Sequence, residues 1–285
     1  MAIIRKVGVV GAGQMGAGIV QVFAEAEYDV VVVDASEPTL QKAVESIDKR
    51  LASRVEKGTL AAEQKENIMG RIRTTSKLEE LAECDLIEEA IPEDLELKKD
   101  LFAKLDRICK SETIFGTNTS GLSVTDMAAA VKRGDRLLGM HFHNPAPVMK
   151  LLELVRTIVT SEETIDAMKA FGVTLGKTVV VAPDVGGFIV TRLFTPFLLG
   201  AVSMLEEGIA TKEEIDVSMR MAVNHPMGPL EVVDFIGLDT ELSIAETLYE
   251  ETKDPKYAPP LLLRKMVTAG WLGRKSGKGF YDYTK

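Results

Sequence analysis

Residues Lys6–Gly18 read KVGVVGAGQMGAG, a mostly β-branched apolar run, then Gly11, Gly13 and Gly16 in G-x-G-x-x-G spacing, then the start of a helical pattern. The three glycines have separate tasks. Gly11 permits a tight turn, Gly13 lets the backbone approach a pyrophosphate, and Gly16 lets the helix pack close to the strand, while the helix start presents N–H donors and positive dipole. Gln14 and Met15 lie within the turn and join the glycines as expected cofactor contacts. A glycine spacing alone is weak evidence, but here it follows a strand, opens a helix and precedes a second apolar run, Val30 to Val33, that ends in Asp34. An acid at that point accepts hydrogen bonds from ribose hydroxyls and repels a 2'-phosphate, which favours NAD over NADP.

The same rhythm continues outward from this turn. From Ile3 to about Val181, short apolar runs alternate with amphipathic stretches, as strands and crossover helices do in a mostly parallel sheet. Strands are predicted at Val7 to Val10, Val30 to Val33, Asp85 to Ile91, Thr113 to Thr117, Leu137 to Phe142, Leu151 to Val159 and Thr178 to Val181. Helices are predicted at Gln14 to Glu27, Pro38 to Lys57 and Asp94 to Lys110. A breaker cluster, Pro183 to Gly187, then ends the alternation, and only helical periodicity follows, in Phe188 to Glu207, Thr211 to Met221 and Pro229 to Glu250. The expected architecture is an α/β chain: a Rossmann-like, mostly parallel sheet domain over 1–183 and an all-helical domain over 184–285. The tail WLGRKSGKGFYDY, Trp271 to Tyr283, takes no regular element.

With 285 residues, 46% of them hydrophobic and only 11 prolines, the composition excludes collagen-like and largely disordered classes. A net charge of -9 is the wrong sign for generic adhesion to nucleic acid or an anionic membrane, so neither is an expected partner. Two cysteines in no paired motif exclude a disulfide framework and fit a reduced, cytoplasmic setting. No apolar stretch is long enough to span a bilayer, and the glycine turn comes too early to leave room for a signal peptide, so the mature chain is expected to start near Met1.

The chemistry-bearing residues cluster at predicted strand ends, where open parallel sheets place their sites. Two of the three histidines lie in GMHFHNPAPVMKLLELV, in which His141 is followed by the turn residues Asn144, Pro145 and Pro147 and then by a strand carrying Glu153. A carboxylate returning beside the imidazole would fix its tautomer and raise its pKa, as a general base for an alcohol proton requires. His143 shares the His141 face, but no His or Cys stands at a usual third-ligand spacing, so no metal is expected. The loop TNTSGLS offers Asn118 and Ser120 as ligand contacts, with Ser123 or Thr125 as a helix cap. Arg50, Arg54 and Lys57 fall at i, i+4 and i+7 with no acid on that helix face, which reads either as a solvated charge face or as a phosphate site.

Through GAGQMG, NTSGLS, HFHNPAPVMKLLELV, NHPMGPLE, DFIGLD and AGWLGRKSGKGFYDY, the chain resembles the short-chain (3S)-3-hydroxyacyl-CoA dehydrogenase family over essentially its whole length, closest to the bacterial 3-hydroxybutyryl-CoA branch. The resemblance implies an NAD-dependent oxidoreductase that interconverts a (3S)-3-hydroxyacyl-CoA and its 3-ketoacyl-CoA, with an acyl-CoA substrate and a homodimer formed through the helical domain. By the same similarity His141 is the catalytic base, Glu153 its partner and Ser120 a hydroxyl near the reacting oxygen. Glu93, Lys98 and Lys275 match positions near NAD, and Lys57 matches a coenzyme A contact. Departures fall on the acyl side. Thr191 stands where the family carries Asn, Gly186 where it carries Pro, Gly200 where it carries Glu, and His143 where it carries Phe. These keep open a related enzyme for an unusual acyl-CoA or a free hydroxy acid; the alternative of a different class is a non-catalytic NAD-binding relative, against which the presence of both His141 and Glu153 argues.

Overall fold

The computed structural model describes residues 4–284. The chain divides into two compact units, one ending at Val185 and one from Gly186 onward. The first unit carries eight strands: β1 (Lys6–Val10), β2 (Asp29–Val33), β3 (Ile72–Thr75), β4 (Leu86–Glu89), β5 (Ile114–Thr117), β6 (Leu137–Phe142), β7 (Leu151–Arg156) and β8 (Thr178–Pro183). They form one sheet in the order β3-β2-β1-β4-β5-β6-β7-β8, parallel throughout except for the β6–β7 pair. Six helices connect them: α1 (Gln14–Glu25), α2 (Glu37–Glu56), α3 (Ala62–Gly70), α4 (Leu95–Ile108), α5 (Val124–Ala129) and α6 (Glu162–Thr174). The sheet is buried on both sides, which explains why its strands read as continuous apolar runs rather than alternating ones. Val7, Val9, Val30, Val32, Leu86, Leu138, Met140 and Leu154 pack with Ile19, Phe23, Leu40 and Phe171 into the main core.

Side chains cap most of the long helices: Ser36 caps α2, Asp94 caps α4 and Ser161 caps α6. Helix α1 begins instead at Gly13, with no side-chain cap and no acid in its first turn. Four N–H groups of a helix start need acceptors, so this end of the sheet is prepared for something the chain does not itself supply.

The structure corrects several details of the sequence reading. Strand β3 was not predicted, because IRTT is a short edge strand with a single strongly apolar residue. Strand β4 stops at Glu89 and β7 at Arg156, short of Ile91 and Val159. Ile3, where the predicted rhythm starts, lies outside the described residues. The second unit is built from α7 (Val190–Glu206), α8 (Lys212–Val223), α9 (Pro229–Ile236), α10 (Leu238–Thr252) and α11 (Leu261–Thr268). The single helix expected from Pro229 to Glu250 is broken at Gly237, whose φ of 105° no right-handed helix can contain. The tail is tied down by Asp234: its carboxylate accepts from the Phe280 and Tyr281 N–H groups and the Tyr283 hydroxyl. Isolated bridges join Lys278 to Gly273 and Asp282.

Candidate active site

The glycine turn has the geometry its spacing predicts. Gly11 has φ 99°, and a Cβ there would fall 2.5 Å from the Ala90 carbonyl oxygen; at Gly16 it would fall 1.8 Å from the Gly11 oxygen. Both positions are closed to any other residue. A Cβ on Gly13 would meet nothing within 4 Å, so the backbone there borders open space at the uncapped start of α1. Asp34 directly follows β2, with one carboxylate oxygen accepting from Ala12 N at 2.8 Å and the other from Ser36 N at 2.9 Å. Each oxygen keeps a lone pair for a ribose hydroxyl. Open backbone, free N–H donors and an oriented acid fit a dinucleotide. Met15 is half-buried against the core, and the exposed Gln14 reaches Asn144, Nε2 to Oδ1 at 3.4 Å.

At the neighbouring strand ends, Asn118 Oδ1 accepts from Phe142 N at 2.8 Å and so stitches the loop after β5 to β6. Glu93 accepts from the Thr119 hydroxyl at 2.5 Å and from Ser120 N at 3.1 Å, which fixes the half-buried Ser120. Ser123, not Thr125, caps α5, and Asp184 accepts from the Val124 and Thr125 N–H groups. Lys98 is 1% exposed and donates to Glu89 at 2.6 Å, with Glu93 3.3 Å away. Glu89 was missed from sequence, where an acid inside an apolar run carries no partner label.

His141 and Glu153 are direct partners across β6 and β7, so both side chains leave the same face. His141 Nδ1 lies 2.8 Å from Glu153 Oε2. His143, two residues on, also reaches that face, its Nε2 3.3 Å from the same oxygen and its ring centroid 4.5 Å from that of His141. The expected upward pKa shift of His141 is not what the surroundings produce. Burial lowers it, outweighing the hydrogen bond to Glu153 that raises it, and His143 lowers it further. A second expectation also changes. The fold supplies the third ligand that the spacing lacked, since one donor atom from each of His141, His143 and Glu153 lies within 4.8 Å of the others.

The basic face is largely satisfied from inside. Arg54 is paired to Glu25 at 2.7 Å, and Arg50 donates to Gln21 and Ser46. The acid missing from the α2 face comes from α1, which periodicity within one helix could not reveal. Lys57 is exposed at the end of α2. In the second unit, Thr191 is half-buried in the first turn of α7, and Lys275 pairs with Asp239. Gly200 is exposed and lines an apolar groove of about 490 Å³ with Phe197, Met204, Ile215 and Met219.

By fold and turn geometry the first unit is a dinucleotide-binding domain of the dehydrogenase kind. Comparison with known proteins narrows this. The NAD binding domain of 3-hydroxyacyl-CoA dehydrogenase matches residues 6–185, and the C-terminal domain of the same enzyme matches residues 187–283. A 3-hydroxybutyryl-CoA dehydrogenase of Bradyrhizobium diazoefficiens is 47% identical over 99% of this chain and 96% of its own. The human mitochondrial hydroxyacyl-coenzyme A dehydrogenase is 40% identical, covering 99% and 92% of the two chains. The crystal structure of (S)-3-hydroxybutyryl-CoA dehydrogenase from Ralstonia eutropha superposes with a TM-score of 0.96 at 43% identity, over 99% of this chain and all of that one. The chain belongs to the 3-hydroxyacyl-CoA dehydrogenase family, NAD-dependent oxidoreductases acting on CH–OH groups.

Proposed function

We propose that this chain interconverts (3S)-3-hydroxybutyryl-CoA and acetoacetyl-CoA, with His141 as general base. The observation that carries this reading is the 2.8 Å pairing of His141 Nδ1 with the fully buried Glu153. An ionised carboxylate only accepts, so it holds the imidazole proton on Nδ1 and leaves the Nε2 lone pair to take the hydroxyl proton. Glu153 then stabilises the imidazolium, and in the reverse direction the imidazolium returns its proton to the ketone oxygen. When bound, NAD supplies the acceptor for the hydrogen and electron pair that leave C3.

Gly11, Gly13, Gln14, Met15 and Gly16 would hold the pyrophosphate and Asp34 the ribose, while Glu93, Lys98 and Asn118 would shape the nicotinamide side. Ser120 and Asn144 would contact the acyl group. Lys57 would meet the phosphates of coenzyme A, with Arg50 and Arg54, held by Gln21, Ser46 and Glu25, adding only their longer-range charge. Assay of NADH oxidation with acetoacetyl-CoA, free acetoacetate and longer ketoacyl-CoAs tests the substrate. His141→Gln should lower kcat by roughly 10²- to 10⁴-fold and leave NAD titration nearly unchanged. Turnover retained in that variant would remove His141 from the mechanism.

The apolar groove along α7 and α8, with Leu193 and Met221 exposed at 72% and 76%, supports a homodimer through the helical unit. Light scattering of the pure protein checks it. Among the described residues no helix is long and apolar enough to cross a membrane. Two free, buried cysteines, Cys84 and Cys109, support a reduced, cytoplasmic compartment.

A further inference from the structure

We propose that His141, His143 and Glu153 together form a binding site for a divalent transition metal of the zinc class, and that its occupation stops turnover. The second half rests on His141 being the base; the first half does not. The donor set is two imidazoles and one carboxylate, a combination that suits zinc, cobalt and nickel and does not suit magnesium or calcium, which take oxygen ligands. Its geometry suits them as well. Metal–ligand bonds of about 2.0–2.1 Å in a tetrahedron place ligand atoms about 3.3–3.4 Å apart. His143 Nε2 lies 3.3 Å from Glu153 Oε2 and His141 Nδ1 lies 2.8 Å from it, and one donor atom of each of the three residues lies within 4.8 Å of the others, so closing the seat takes side-chain rotation of up to about an ångström, within reach of the imidazole torsions.

His143 is the member that makes the difference. Its Nε2 is buried and, although close to Glu153, makes no hydrogen bond among the described residues. A buried ring nitrogen facing a carboxylate without a hydrogen bond is poorly satisfied, and a shared cation would satisfy all three groups at once. Three protein ligands leave the fourth tetrahedral position to water, as in open zinc sites.

Occupation has a defined consequence for His141. A metal on Nδ1 takes the place of the Nδ1 proton, which passes through solvent to Nε2. The ring stays neutral, and no net proton is gained or lost at His141. The tautomer, however, is inverted: Nε2 becomes a donor and can no longer accept a hydroxyl proton.

The test is titration of the nucleotide-free full-length protein with cobalt(II), read by its visible ligand-field bands, and with zinc(II), read by calorimetry. One cobalt per chain in a four-coordinate environment is expected. His143→Phe and, as a second variant in case of misfolding, His143→Gln should each weaken binding roughly tenfold or more. His225→Gln, at the only other histidine, should leave it unchanged. The two cysteines cannot mimic the result, because both thiols are buried and burial pushes them up to about 12 and about 11. Absence of cobalt bands, or equal affinity in the His143 variants, would overturn the site. Graded zinc should inhibit turnover, reversibly on chelation and less in His143→Phe than in the parent, while magnesium should have no effect. Metal bound one to one with turnover intact would overturn the inhibitory half and count against His141 as base, leaving the site itself standing.

Discussion

Glu88 and Glu89 are neighbours on β4, both 0% exposed, and point to opposite faces of one sheet, yet they live under different rules. Glu89 accepts from Lys98 at 2.6 Å, from the Thr117 hydroxyl at 2.6 Å and from Ile91 N at 2.7 Å. Among the described residues neither Glu88 oxygen has a hydrogen-bond partner, and the carboxyl fits only because its partner on β5, Gly116, has no Cβ: one built there would lie 2.1 Å from Oε2. Burial drives Glu88 well above the ordinary carboxylate range, with the charge of Glu89 adding to it. Burial raises Glu89 as well, outweighing its donors, so the two differ in what their donors offset and not in the direction burial pushes them. One of these two belongs to a charged network that reaches Glu93 and the Ser120 loop; the other is an uncompensated polar group in a core.

The largest effect should follow from breaking the network. Lys98→Met leaves Glu89 buried without its cation and should cost about 3–5 kcal/mol in urea unfolding, much of it recovered by adding Glu89→Leu. If the double variant is no more stable than the single, Glu89 is not what Lys98 compensates.

Glu241 extends the comparison to the second unit. It is 2% exposed, one oxygen lacks a partner, the Thr195 hydroxyl meets the carboxyl, and burial pushes it up to about 7. Because the folded pKa is raised, the folded state binds more protons than the unfolded one between about pH 4.5 and 7, and stability falls as pH rises through that window. Glu241→Gln should flatten this slope, gaining about 3 kcal/mol at pH 8 and little at pH 4.5. Equal gains at both pH values would mean that shape, not ionisation, is at issue.

Glu88→Met, which replaces an unpartnered acid by an apolar chain of similar length, should stabilise by about 1–2 kcal/mol, read as a higher denaturation midpoint. A loss instead would reveal a donor that Glu88 meets in solution. Smallest of all should be Arg54→Ala. Its pair with Glu25 is partly exposed, and such pairs contribute about 0.2–1 kcal/mol. Any clear rise in KM for acyl-CoA, with stability nearly constant, would place Arg54 on the ligand rather than on Glu25.

These contrasts also mark how much could be read from sequence. The glycine turn, the alternation of strands and helices, and the His141–Glu153 pairing were legible because each depends on local spacing or on a short antiparallel return. Long-range partners were not. Glu25 neutralising Arg54 and Glu89 receiving Lys98 are both set by which elements lie side by side, and no period within one helix or strand encodes that. Gly237 was readable as a glycine but not as a helix break, since an isolated glycine is tolerated in a helix until its φ turns positive.

The hydrogen bond from Ala12 N to Asp34 bears on how this enzyme family could change cofactor. The acid proposed to turn away a 2'-phosphate is also a strut under the glycine turn, so on that proposal selectivity and loop order are joined in one side chain. Replacing Asp34 by Ser removes the repulsion and shortens the strut together, and the turn that must receive either nucleotide loosens. Conversion to NADP use is therefore a two-residue problem on this scaffold. A cation for the phosphate has to arrive with a substitute acceptor for Ala12, and Asp34→Asn, which keeps the acceptor and drops the charge, is the shorter first move along that route.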